Sequence, residues 1–113
     1  MTKEIYNFDG YAGATIRVDV GDDVGNLVDD GLLITHATTG EMCRVVIITC
    51  HNSDLVFAFG GSVPDQDGIM GHVLTVGSVL RVVNTQSIKS LRYISATDGM
   101  TARLMITPEY FQP

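Results

Sequence analysis

The residues able to do chemistry are few and far apart. Cys50 and His51 adjoin, and a thiol beside an imidazole is the pair from which a nucleophile and its base can be made. In an extended strand, however, neighbouring side chains point to opposite faces, so these two cannot readily share a proton. Cys43 precedes Cys50 by seven residues, an odd separation that sets the two thiols on opposite faces of one expected strand and out of bonding reach. The C-x-x-C spacing of a zinc or redox site is missing, and two buried free thiols are expected. His36, His51 and His72 stand in separate segments without the H-x-H or H-x-x-x-H spacing of metal ligands.

The carboxylates offer slightly more. Asp65-x-Asp67-Gly68 has the closely spaced hard oxygen donors and glycine turn that open a calcium loop, yet no Glu follows at the position an EF-hand requires. A solvated loop is expected, with Asp65 and Asp67 the residues a shared cation at a subunit interface would use. Asp22-Asp23 and Asp29-Asp30 read as caps and solvent-facing groups of one helical turn. Gly60-Gly61-Ser62 and Gly10-x-x-Gly13 lack the Lys-Ser/Thr that makes a glycine loop a phosphate cradle. No acid/base pair or supported nucleophile emerges, so the expectation is a protein without catalytic residues, cofactor or enzymatic activity.

The elements that would position these residues are strands. Thr15 to Val20 alternates apolar and polar residues, as does the short run Ile5 to Phe8, with Gly10 and Gly13 between them. Over residues 22 to 30, Val24, Leu27 and Val28 have helical spacing, with an Asp to cap the start and Gly31 to stop it. Leu32 to His36 and Met42 to Cys50 read as strands joined by a hairpin at Gly40. Val45 to Ile48 is apolar on both faces, the pattern of a central strand covered on both sides. Beyond it, Val56 to Phe59, Val73 to Val76, Val79 to Val83, Leu91 to Ser95 and Thr101 to Thr107 follow one another with Gly, Pro, Asn and Asp between them. Residues 60 to 71 should be an exposed loop and the first place to look for a partner contact. Gly77 fits a strand corner, Asn84 to Ser87 a break, and Asp98-Gly99 a hairpin turn. The expected fold is all-β: a single β-sandwich of jelly-roll type over residues 1–113, with at most one short helix and with residues 1–12 as an extended arm.

Composition narrows the partners. The 113 residues suffice for one self-supporting domain. No apolar run approaches the ~20 residues of a membrane span, and the N-terminus shows no signal-peptide pattern, so a soluble protein made in the cytoplasm and not secreted is expected. A net charge of −6 with only seven Lys and Arg argues against a nucleic-acid backbone as partner. Seven of the thirteen acids fall before residue 40, whereas Arg81, Lys89, Arg92 and Arg103 cluster late. Such asymmetry serves surface solubility, or a head-to-tail contact between copies. Apolar residues make up 45% of the chain and mean hydropathy is +0.22, which points to apolar surface covered by partner chains and hence to a homo-oligomer.

One resemblance emerges from the strand layout of residues 43 to 110. The succession runs from His51-Asn52-Ser53-Asp54 through Val56 to Gly60, a loop, Gly71 to Ser78 with its Leu74-Thr75-Val76-Gly77 turn, and Val79 to Val82. It closes with Leu91-Arg92-Tyr93-Ile94-Ser95-Ala96 and the apolar strand Thr101 to Thr107. It resembles small β-sandwich virion proteins of tailed bacteriophages. The resemblance implies a capsid decoration or cement protein on the virion surface, bound to the major capsid protein or other virion proteins and to its own copies, a trimer being the first expectation. Head fibres, necks and tails use similar proteins, and a carbohydrate-binding module is the alternative on the same fold, disfavoured by the lack of Trp. Contact residues on this reading are Tyr6, Phe8 and Tyr11 at one terminus and Glu109, Tyr110 and Phe111 at the other, because Tyr and Phe dominate interface energetics. Tyr110 is equally placed to pack into the core.

Overall fold

The computed structural model describes residues 10–67 and 69–111. Nine strands and one helix follow in order: β1 (Tyr11–Ala12), β2 (Ile16–Val20), β3 (Gly25–Asn26), β4 (Met42–His51), β5 (Leu55–Ala58), β6 (His72–Leu74), β7 (Val79–Val83), α1 (Thr85–Ser90), β8 (Arg92–Ser95) and β9 (Ala102–Phe111). They form two antiparallel sheets. One has the order β1-β9-β4-β7 with β2 also on β9, and the other β3-β8-β5-β6. The pairs β2–β9, β3–β8, β4–β7 and β5–β6 nest like rungs of one long hairpin whose tip is the loop between β5 and β6. Rolling that hairpin adds the β4–β9 and β5–β8 pairings and yields the jelly roll expected from the strand pattern.

Period-two alternation builds the core. Along β9, Ala102, Leu104, Ile106, Pro108 and Tyr110 point inward and the residues between them outward without a break. Val46, Ile48 and Cys50 of β4 meet Leu55 and Phe57 of β5 and Tyr93 of β8 across the sandwich. As its apolar run implies, β4 is central, flanked by β9 and β7. Cys43 and Cys50 nevertheless share one face. A register shift between Cys43 and Val45 inserts an extra residue, so both thiols reach the core with no exposed surface. At roughly 3.3 Å per residue they lie about 20 Å apart along the strand, too far to bond, and both are free.

Helical structure appears in two places. Of the turn expected over residues 22 to 30, only Leu27 to Gly31 forms, because Gly25–Asn26 pairs as strand β3. Asn26, rather than an Asp, caps its start by accepting from the Asp29 amide at 2.9 Å. Gly31, at φ +112°, closes it, with the Leu32 amide on the Leu27 carbonyl and its own amide on the Val28 carbonyl. The helix proper, α1, occupies the stretch expected to be a break. Asn84 caps it through the Gln86 amide, and Ile88, fully buried, plugs the core where the chain passes from β7 in one sheet to β8 in the other.

Three connections differ from expectation. Asp98-Gly99 joins β8 to β9 and so arches between the two sheets instead of closing a hairpin within one. Leu32 to His36 makes only an isolated bridge, Thr35 to Met42, because the capped turn before it consumes Leu32. The β5–β6 loop is not wholly exposed: Pro64 is fully buried, and Gly71 lies close over Val56, on the outer face of the sheet. This leaves β5 buried on both faces. Gly77 does mark a corner, at φ +86°, where the chain leaves the β6 sheet for the β7 sheet.

Candidate interaction surface

The residues singled out for chemistry are engaged in holding the fold. The Cys50 thiol donates to the Ser53 carbonyl at 3.1 Å, and burial pushes the Cys43 and Cys50 thiols above their ordinary range, which keeps both protonated and unreactive. His51 points away from Cys50 to the exposed side, 3.0 Å from the Thr49 hydroxyl. His36 Nδ1 accepts from the Thr38 and Thr39 amides, both at 3.2 Å, so its hydrogen-bond pattern places the ring proton on Nε2. His72 packs against Phe57, in a different part of the molecule.

The carboxylates are similarly occupied. Asp65 accepts from the Ile69 amide at 3.0 Å and folds its own loop, whereas Asp67 is exposed. Asp22 accepts from the Gln66 side chain at 2.9 Å and from the Gly99 amide at 3.0 Å, tying the tip loop to the β8–β9 arch. Those two bonds hold its carboxyl below the usual range. Asp30 accepts from the Tyr93 hydroxyl at 2.6 Å; burial, then this bond, pushes the phenol's pKa up. Asp19 sits between Arg17 and Arg103, at 3.1 and 3.5 Å, and the Arg17 hydrogen bond foremost depresses its pKa. Because β2 lies beside β9, an early acid thus meets a late base inside one chain. Among the described residues, no three His, Cys, Asp or Glu gather where they could hold a metal ion.

The expected contact residues divide. Tyr6 and Phe8 lie outside the described residues. Tyr11 does not reach out as an arm: it pairs with Tyr110 in β1–β9, and its hydroxyl is 3.2 Å from that of Thr39, although 41% of the residue stays exposed. Tyr110 is core, 4% exposed, its hydroxyl donating to the Leu33 carbonyl at 2.9 Å. Glu109 and Phe111 are half-buried, on the outward side of β9. The C-terminal residues therefore belong to a central strand.

Sequence reading overlooked a groove beside them, and its cause can be traced to Pro108. In an antiparallel ladder the N–H and C=O of one residue point to the same neighbour. The Pro108 carbonyl accepts from the Gly13 amide at 2.8 Å, so the position where Pro lacks its donor also faces this edge. The edge strand accordingly breaks into β1 and β2, with residues 13–15 between them. Ala14, Ile16, Leu32, Leu33, Pro108 and Tyr110 line the resulting open groove of about 170 Å³. A proline within a run otherwise reading as a strand was the available signal.

Exposed apolar side chains mark the remaining candidate surface. The tip loop and β6 present Ile69 at 83%, Val73 at 58% and Val63 at 53% exposed, with Met70 beside Ile69. On the other sheet, Val79 and Val83 of edge strand β7 face outward on either side of Arg81. A charge at the middle of a free edge opposes self-pairing of β7, since an antiparallel partner centred there would bring Arg81 against Arg81. Among the described residues, no helix is long and apolar enough to cross a membrane. No protein-family model matches the chain, and no curated protein matches it.

Proposed function

We propose that this chain is a virion structural protein of the tailed-phage decoration type, which reinforces a shell by covering junctions between capsid subunits. The observation that carries the reading is the apolar tip of the jelly roll: Val63, Ile69, Met70 and Val73 are exposed on the loop and strand at the hairpin's turning point. Apolar side chains exposed in this number cost solubility unless a partner buries them. The strand layout that resembles phage virion proteins supports the same role, and jelly rolls are common building blocks of capsids. Fold alone assigns no function, so the surface bears the argument. Reinforcement follows from multiplicity: a modest contact per copy, repeated across a shell, resists opening far more than one copy could.

The test is sedimentation of the purified chain with shells of its phage that lack it. The chain should pellet with the shells and raise the temperature at which they open. Ile69→Asp and Val63→Asp, at exposed positions, should weaken binding at least about tenfold, the scale of an interface hot spot, while leaving the circular dichroism spectrum unchanged. A chain that stays in the supernatant at every concentration would sink the reading.

A further inference from the structure

We infer that the outer face of the five-stranded sheet docks against the carboxylate-bearing side of a second copy of this chain, joining copies head to tail. The charges of the described residues divide between the two sides of the sandwich. The strands of that sheet carry Arg17, Arg44, Arg81 and Arg103 against Asp19 and Glu109 alone. Alternation, with the bulge at Arg44, turns these side chains outward, away from Val18, Val46, Val82 and Leu104 in the core. The remaining described residues hold Lys89 and Arg92 against nine carboxylates. Six of the nine, Asp22, Asp23, Asp29, Asp30, Asp67 and Asp98, are exposed. They sit with the other sheet. Asp29 and Asp30 follow its edge strand β3, and Asp22 bonds Gln66 of the tip loop, which folds over that sheet's outer side and carries Asp67. Asp98 lies in the arch whose Gly99 amide also reaches Asp22. A chain of net charge −6 thus keeps one positive face.

That face is built like an interface. Exposed Val79 and Val83 and half-buried Ile47 and Met105 stand between the arginines. Arg and Met are enriched where proteins meet, whereas Lys, Asp and Glu are depleted. The sheet is four strands wide, and β4 and β9 have ten residues each, so the face measures about 19 by 33 Å, roughly 600 Å² in projection. Side-chain relief raises the accessible area toward the ~800 Å² that a stable interface buries on each partner. Charge then selects the occupant. Two copies meeting by this same face would set Arg44 and Arg81 among one another's arginines, which like-charge repulsion opposes. The carboxylate-bearing side is complementary, and every copy has both surfaces. The contact is therefore heterologous, closing into a ring where the rotation permits. Asp19 already answers Arg17 and Arg103, whereas Arg44 and Arg81 have no ion pair among the described residues, so these two carry the charge a partner would meet. The inference goes beyond shell binding and uses a surface separate from the exposed apolar side chains of the tip.

Light scattering on the full chain supplies the first readout. At about 0.01 M salt, where charges act over ~30 Å, the mass should exceed the 12.2 kDa of one copy. At about 1 M, where they act over ~3 Å, association should weaken at least about tenfold. A chain monomeric at low salt and about 1 mM protein would overturn the inference, and heparin binding by that monomer would assign the face to a polyanion instead. Charge reversal supplies the second readout. Arg44→Glu with Arg81→Glu reverses the sheet face, and Asp23→Lys with Asp67→Lys alters the far side; all four positions are exposed, so the circular dichroism spectrum should not change. Each doubly substituted chain alone should associate at least about tenfold more weakly than the unsubstituted protein. Mixed, the two should form a complex of one of each, because the first keeps its carboxylate side and the second its arginine face. Full association of the Asp23→Lys, Asp67→Lys chain by itself would overturn the head-to-tail contact, as would a mixture that stays monomeric. No shell is present in these mixtures, so failure here is distinguishable from failure of the decoration role.

Discussion

Tyr93 shows how a polar atom is accommodated in this core. Its ring is fully buried, and its hydroxyl leaves the core only to donate to Asp30 on the capped turn. Tyr93→Phe should therefore cost about 1.5–3 kcal/mol, as for one hydrogen bond to a charged acceptor, read as a lower urea midpoint at unchanged m-value. Asp22 gives the pH counterpart. Its folded pKa is depressed by the Gln66 and Gly99 bonds, so the stability it contributes is present above the unfolded carboxylate value of about 3.9 and is lost as pH falls through the lower folded value. The thermal midpoint should drop across that acid range. Asp22→Asn cannot titrate and lacks the charge those donors favour, so it should flatten the drop by lowering the midpoint at neutral pH while changing it little at acid pH. That Cys50 and His51 would not cooperate was legible from strand alternation. The facing of Cys43 was not, because one bulge residue reverses parity and leaves no mark in the residue pattern.

At the scale of elements, α1 is the instructive case. Six residues, Thr85-Gln86-Ser87-Ile88-Lys89-Ser90, carry one apolar side chain and too little periodicity to announce a helix. Packing stabilises it instead: Ile88 and the following Leu91 have no exposed surface. Ile88→Ala should destabilise by about 2–4 kcal/mol through the cavity it leaves, whereas exposed Lys89→Ala should stay within about 0.5 kcal/mol, both measured by chemical denaturation. The Asp98-Gly99 arch teaches a related lesson. The dipeptide demands a turn, and a turn is what forms, but which sheet the next strand joins depends on partners far away in sequence. Pro108 acts in the reverse direction, as one residue whose missing donor reshapes the neighbouring edge and opens the groove.

For the whole molecule, the nested pairs mean that β2 must find β9 across more than eighty residues, and among the described strands β5 and β6 are the pair nearest in sequence. Such topology folds slowly, and refolding from urea in a stopped-flow instrument should run in milliseconds to seconds rather than microseconds. The sequence by itself determined the all-β class, most of the strands, the central place of β4 and the turn ended by Gly31. These follow from side-chain periodicity and from local backbone preferences, both of which act within a few residues. Only the tertiary structure decided the rest: which strands share a sheet, that Tyr110 is core, that the tip loop partly covers its own sheet, and that a groove opens beside Pro108. Those outcomes depend on contacts between residues tens of positions apart, where burial and hydrogen-bond satisfaction across the sandwich outweigh local preference.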